Sequence, residues 1–287
     1  LLTCVGATLF KKYRCPFTSE NHARQFVDKS TIRRHGGSYR VHRLVADLIP
    51  YLAGLARPPH EHLGIVVVDP INEGSAAALK DEIAKRFNQP VIALIYSHSH
   101  GDHASGGKTL DAALAIAQEN APADIDGVTP DIRFGDRMSM NLGGKTFELN
   151  WLGKGHGEDL IAVIVRPENV AFIVDAAAPK RLPYRDFPRS DIDGWINQVK
   201  AIEGLDFEIF APGHGNIGVK ADATDARVYM ETLRAHVLAG LKAGQSESEL
   251  AESVTMDDYK DWGSYKNWRA LNVQGMARYL KAIGEAN

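Results

Sequence analysis

The pattern of apolar and polar positions divides the chain near residue 64. Residues 1–63 hold no sustained period of two or of 3.6. From there on the pattern is regular. Ile65-Val66-Val67-Val68-Asp69 is a short apolar run that predicts a central strand buried on both faces. Ser75–Phe87 spaces Ala76, Ala77, Leu79, Ile83 and Phe87 along one side of an amphipathic helix. Pro90–Ser97 predicts a second buried strand. Gly107–Gln118 reads as a short helix followed by a strand through Leu114-Ala115-Ile116-Ala117, which periodicity does not separate. Strands are expected at Arg137–Leu142 and Lys145–Leu152 about the turn Gly143-Gly144. A further pair, Leu160–Arg166 and Asn169–Val174, turns at Pro167-Glu168. A helix over Ile192–Ile202 and a strand at Phe207–Phe210 follow. The end of the chain is helical in pattern: Ala223–Ala243, Ser246–Ser253 with a Ser-x-x-Glu start, and Trp268–Ile283. Strand-rich halves with helices between and after them predict a layered α/β protein.

Charge sharpens the division at residue 64. Residues 1–63 carry ten Lys/Arg against four Asp/Glu, so the remaining chain is strongly acidic although the net charge is only −3. This basic segment also holds five of the eleven histidines and both cysteines, Cys4 and Cys15. It is read as an atypical N-terminal segment without assigned strands, followed by a main domain over 64–219 and a helical part over 220–287 packed on that domain. Two cysteines do not fix the redox compartment. Leu1-Leu2-Thr3-Cys4 faintly resembles a lipoprotein cleavage site, but no apolar h-region is intact. The compartment is therefore left open between the cytoplasm and, after removal of a leader, the periplasm or exterior. An acidic body argues against a general nucleic-acid binder. No run approaches the roughly 20 apolar residues that span a bilayer.

The chemistry concentrates directly after the second buried strand. In Tyr96-Ser97-His98-Ser99-His100-Gly101-Asp102-His103, three imidazoles and a carboxylate fall within six positions. At a strand end His98 and His100 share one face while Ser99 points away. Gly101 then lets the backbone turn and aim Asp102 and His103 at a second position. Imidazole and carboxylate together suit zinc first, with iron or manganese as alternatives.

His98-Ser-His100-Gly-Asp102-His103, followed by Gly106-Gly107, resembles the signature of the metallo-β-lactamase-fold hydrolases. The resemblance implies an αβ/βα four-layer sandwich with a C-terminal helical extension, and two divalent metal ions. It also implies further ligands downstream. His156 lies between glycines in Gly155-His156-Gly157, Asp175 ends an apolar strand, and His214 stands in Pro212-Gly213-His214-Gly215. By resemblance, site one is His98, His100 and His156, site two is Asp102, His103 and His214, and Asp175 is shared. The implied activity is hydrolysis of a small ester-like substrate (lactone, thioester or β-lactam) by a hydroxide between the two metals, which Asp102 helps to orient. A β-lactamase proper, a phosphodiesterase or nuclease of the same fold, and a non-catalytic metal-binding protein are the competing readings.

Selectivity is expected in the loops, since the metal machinery serves many chemistries. The loop after Asp175 offers Lys180, Arg181, Tyr184 and Arg185 as substrate contacts, with Arg189 beyond them. The aromatic-rich stretch from Asp258 to Trp268 is expected to pack a helical layer against a sheet, with a wall of the active site or a homodimer contact as alternatives. No GxGxxG, Walker loop or serine nucleophile motif is present.

Overall fold

Strand β3 (Ile65–Val68) serves two cores at once. In the computed structural model, which describes residues 2–5, 8–10 and 64–286, Val66 and Val68 face the space between two sheets. Ile65 and Val67 face the opposite way, against helix α1 (Glu73–Phe87). None of the four is more than 2% exposed. Period-two alternation inside a run with no polar residue is what a strand covered on both faces requires.

The first sheet has the order β2-β1-β3-β4-β5-β6, from β1 (Leu2–Val5), β2 (Thr8–Phe10), β3, β4 (Val91–Ile95), β5 (Ala115–Gln118) and β6 (Ile132–Phe134). Only β2 runs antiparallel to its neighbour. The second sheet has the order β12-β11-β10-β9-β8-β7. Its members are β7 (Arg137–Leu142), β8 (Lys145–Trp151), β9 (Ile161–Arg166), β10 (Val170–Phe172), β11 (Ile209–Ala211) and β12 (Gly218–Val219). On β9, Ile161, Val163 and Val165 meet the first sheet, while Ala162 and Ile164 meet an outer layer of helices. That layer contains α3 (Ile192–Glu203), α4 (Ala221–Lys242), α5 (Glu247–Ser253) and α6 (Tyr265–Ala282). The result is a four-layer αβ/βα sandwich with C-terminal helices, the layered α/β arrangement that the pattern predicts and the four-layer form that the resemblance implies.

Two strands lie where none was assigned. β1 pairs in parallel with β3, Leu2 opposite Ile65, and β2 turns back against β1. Their partner is sixty residues away, so pairing leaves no local period to read. Residues 11–63, with Cys15 and the leader's five histidines, lie outside the described residues. Among the described residues no helix is long and apolar enough to cross a membrane.

Element ends follow capping chemistry. α1 begins two residues before Ser75 because the Asn72 side chain accepts the Ser75 N–H at 2.9 Å, and it ends on left-handed Asn88. The predicted capping box is present at α5: Glu249 N–H donates to Ser246 Oγ, and Ser246 N–H donates to the Glu249 carboxylate. Residues 107–118 resolve into a 3₁₀ turn at Gly107–Leu110 and strand β5.

The aromatic segment does pack. Tyr259 meets Tyr229 and Trp262 edge to face at 4.9 and 4.8 Å, and Tyr229 Oη donates to Asn272 Oδ1 at 2.7 Å. Asn272 in turn donates to the Pro183 carbonyl. The C-terminal helices are thereby tied to the loop that follows Asp175.

Candidate metal centre

Four chain segments meet at the ends of the two sheets and bring seven side chains together. β4 ends at Ile95 and delivers His98, and His100 opens a single helical turn, α2 (Gly101–Ala104). His103 and Ala104 N–H both donate to the His100 carbonyl, so Asp102 and His103 come off that turn beside the strand end. The loop after β8 supplies His156, the end of the β10 segment supplies Asp175, and the loop after β11 supplies His214.

These donors form two groups that share Asp175. One donor atom each from His98, His100, His156 and Asp175 lie within 4.8 Å of one another, and so do those of Asp102, His103, Asp175 and His214. The Asp175 carboxylate spans the pair. Its Oδ2 lies 3.3 Å from His156 Nε2 and 3.7 Å from His98 Nε2. Its Oδ1 lies 3.2 Å from His103 Nε2 and 3.4 Å from His214 Nε2. Asp102 Oδ2 lies 3.4 Å from His214 Nε2. Asp175 itself holds φ 25°, a conformation that a non-glycine residue keeps only where its surroundings impose it.

The arrangement fits a divalent cation. His98 Nε2 and His156 Nε2 are buried without a hydrogen-bond partner, a costly state unless something else binds them. Nitrogen and oxygen donors tetrahedral about zinc at roughly 2.0–2.2 Å stand about 3.3–3.6 Å apart, and the contacts above run from 3.2 to 3.7 Å. Burial lowers the pKa of His98 strongly and that of His100 less, which keeps both imidazoles neutral as ligation needs. Burial also opposes charge on His103, but the carboxylates of Asp175 and Asp69 outweigh it and raise its pKa to about 11. The hydrogen bond to His214 pulls Asp102 down to about 2, so this carboxylate is ionised at neutral pH.

Side chains that the sequence did not single out hold these donors. Buried Asp69, at the end of β3, accepts the Ser97 N–H and hydroxyl and faces His103 Nδ1. Gln198, fully buried on α3, accepts the His156 N–H at 2.8 Å and donates to the Gly153 carbonyl at 2.7 Å. Trp195 meets the His156 ring edge-on at 4.4 Å. Two glycines make these approaches feasible. A Cβ on Gly155 would lie 2.5 Å from Trp195 N, and one on Gly213 would lie 2.6 Å from His103 Cε1. For Asp69 the available signal was a carboxylate ending an apolar strand; for Gln198 there was none.

A cavity of about 630 Å³ opens over the donors, bounded by His100, Asp102, His156, Asp175 and His214 on one side. Of the predicted substrate contacts, Arg181 and Tyr184 line it, as does Arg189. Lys180 and Arg185 are not among the lining side chains. Lys180 pairs with Asp225 and Asp222 of α4 and sits over Trp262, while Arg185 lies beside the Tyr184 ring. Trp262 and Trp268 line the cavity too, so the aromatic segment both packs and walls the site.

Comparison with known proteins gives a consistent picture. A family model described as the metallo-beta-lactamase superfamily matches residues 61–214. The chain is 29% identical over 162 residues to the 2,4-dinitroanisole O-demethylase subunit alpha of Nocardioides sp., covering 53% of this chain and 49% of that one. It is 30% identical over 165 residues to metallo-beta-lactamase IND-1 of Chryseobacterium indologenes, covering 53% and 67%. It is 28% identical over 144 residues to a hydroxyacylglutathione hydrolase of Francisella tularensis subsp. novicida, covering 50% and 55%. The matches thus span from half to two thirds of these relatives' lengths. Among solved structures, the stereoselective inverting sec-alkylsulfatase Pisa1 from Pseudomonas sp. superposes with a TM-score of 0.61 at 15% identity, covering 78% of this chain and 46% of that one. A metallo-beta-lactamase from Pontibacter korlensis gives 0.54 at 19% identity, covering 60% and 84%. At these identities the structural likeness is one of fold.

Proposed function

The chain belongs to the metallo-beta-lactamase superfamily, and from that premise we propose that it is a hydrolase with two divalent ions, zinc first among candidates, acting on a small ester-like substrate such as a lactone, thioester or β-lactam. His98, His100 and His156 would hold one ion, Asp102, His103 and His214 the other, and Asp175 both. The observation that carries this reading is the Asp175 carboxylate, one oxygen of which faces each histidine group. When bound, such ions supply Lewis acidity to the scissile oxygen and lower the pKa of water to about 7.

The protein's own groups do the remainder. Asp102, ionised and open to the cavity, accepts a hydrogen bond from the attacking water and fixes its direction. Asp69 and Ser97 keep the Nε2 atoms of His98 and His103 turned inward. The apolar wall formed by Leu182, Met230, Trp262 and Trp268 excludes water and favours a substrate with an apolar body.

The test is hydrolysis by zinc-loaded protein of a chromogenic cephalosporin, an acyl-homoserine lactone, a glutathione thioester and a phosphodiester, each with and without chelator. Chelator-sensitive turnover of one of the first three is expected and names the bond class. Turnover of the phosphodiester alone would replace the ester reading with the phosphodiesterase one. Silence across the panel with two zinc ions bound per chain would overturn it.

A further inference from the structure

Two guanidiniums line the cavity, and Arg181 is held in place from several sides. Its methylene stem lies beside Gly215 and Gly263. Its guanidinium lies 4.8 Å from the centroid of Trp268, whose ring Tyr184 meets edge-on at 5.2 Å. The backbone is pinned as well: Gly263 N–H donates to the Lys180 carbonyl at 2.8 Å, and Leu182 N–H donates to the Gly263 carbonyl at 3.1 Å. Neither the loop nor the aromatic segment can move this cation without breaking the other's bonds.

Arg181 has no acid of its own. Among the described residues no carboxylate lies within ion-pair distance of it and no side-chain hydrogen bond engages it, although Asp175 is near enough to act on it through space. Burial disfavours its charge, a cost that the through-space attraction of Asp175 offsets only in part. Lys180, one residue earlier, is paired with α4 carboxylates. Arg181 therefore lines a cavity of about 630 Å³ with a guanidinium that no side chain among the described residues pairs. The platform beneath it comes from Trp268, outside the residues 61–214 that the family model matches. It is built by this chain's C-terminal helices.

Building on the hydrolase reading above, we infer that the substrate is a small apolar molecule carrying one oxyanion, which Arg181 receives on its Trp268 platform beside the metal ligands. Carboxylate, sulfate and phosphate share the chemistry that a guanidinium fork recognises. A neutral molecule of the same shape would leave the fork unpaired, and that difference sets the preference.

The experiment is a tryptophan-fluorescence titration of the full, zinc-loaded chain with 3-phenylpropionate, with its neutral amide and with inorganic sulfate. The acid is expected to bind roughly ten- to hundredfold more tightly than the amide, the increment of a hydrogen-bonded charge. Sulfate, which lacks the apolar body, is expected to bind more weakly than the acid. In Arg181→Gln the preference for acid over amide should collapse while the amide still binds, which shows the cavity intact; Arg181→Lys should restore part of it. Equal binding of acid and amide, or no binding of either, would overturn the inference. So would a preference that persists in Arg181→Gln, since the anion would then sit on the metals. Chelator-sensitive turnover of neutral esters tests the hydrolase reading separately, so either can fail alone.

Discussion

Asp69 Oδ2 lies 3.1 Å from Nδ1 of His103, and both residues are 1% exposed. The same oxygen accepts the Ser97 hydroxyl at 2.6 Å, and Ser97 Oγ lies 3.0 Å from His98 Nδ1. One buried carboxylate thus orients a histidine in each cluster, His103 directly and His98 through a hydroxyl. In both rings this places a proton on Nδ1; at His98 the Nε2 lone pair is left for a cation, and at His103 a cation would displace the Nε2 proton.

Asp69→Ala should therefore weaken zinc binding at both positions, by roughly ten- to hundredfold. It should also cost about 1–3 kcal/mol of stability, since the buried Ser97 N–H loses its acceptor. Ser97→Ala should weaken only the cluster that contains His98. Competition with a chromophoric chelator measures both variants; wild-type affinity in Asp69→Ala would remove Asp69 from this role.

Asp175→Asn keeps the shape of the side chain but replaces one oxygen by an amide nitrogen that cannot ligate through a lone pair. One cluster then keeps its oxygen and the other loses it. The expected result is a fall from two bound zinc ions per chain to one, with turnover reduced by orders of magnitude. Metal analysis after dialysis checks it, and two tightly held ions in the variant would contradict the bridging role.

Gln198→Leu probes the support beneath His156. The substitution leaves the His156 N–H and the Gly153 carbonyl without their buried partner, at a cost of about 1–3 kcal/mol. Urea unfolding should show the loss, and metal affinity should fall with it as the 153–157 loop loosens. A variant as stable as the wild type would mean that water replaces the glutamine.

What the sequence made legible is what local patterns carry. The strands from Ile65 to Val174 were readable because each repeats its period within a few residues. The convergence of the His/Asp loops was readable because His, Asp and Gly in tight spacing serve few purposes. What escaped depends on contacts between distant residues. Leu2 pairs with Ile65, Asp69 reaches His103, and Gln198 reaches His156, and none leaves a trace in its own neighbourhood. The aromatic segment is the instructive case. Packing and cavity wall look like alternatives in the sequence, yet Trp262 meets Tyr259 at right angles and also lines the cavity. Lys180 and Arg181 are adjacent cations of the same loop. Only the placement of α4, with Asp222 and Asp225, separates a structural ion pair from an unpaired guanidinium.

The junction of α3 with α4 offers a test of pH dependence away from the metals. Asp193, in the first turn of α3, is gripped by both arms of Arg234 from α4, at 2.6 and 3.0 Å. That pairing is the main cause holding its pKa below the ordinary aspartate value of 3.8. A depressed folded pKa means that the unfolded chain binds more protons through this window, so the stabilisation is complete above the unfolded value and is lost as pH falls through the folded one. The side chain is 39% exposed, and solvent screening limits the contribution to roughly 0.2–1 kcal/mol. Asp193→Asn should therefore be less stable than the wild type by that amount at pH 7, by the same amount at pH 5, and by progressively less below about pH 4. Urea midpoints of both proteins at these three pH values measure the gap, and a gap that widens on acidification would show that Arg234 does not act through the Asp193 charge.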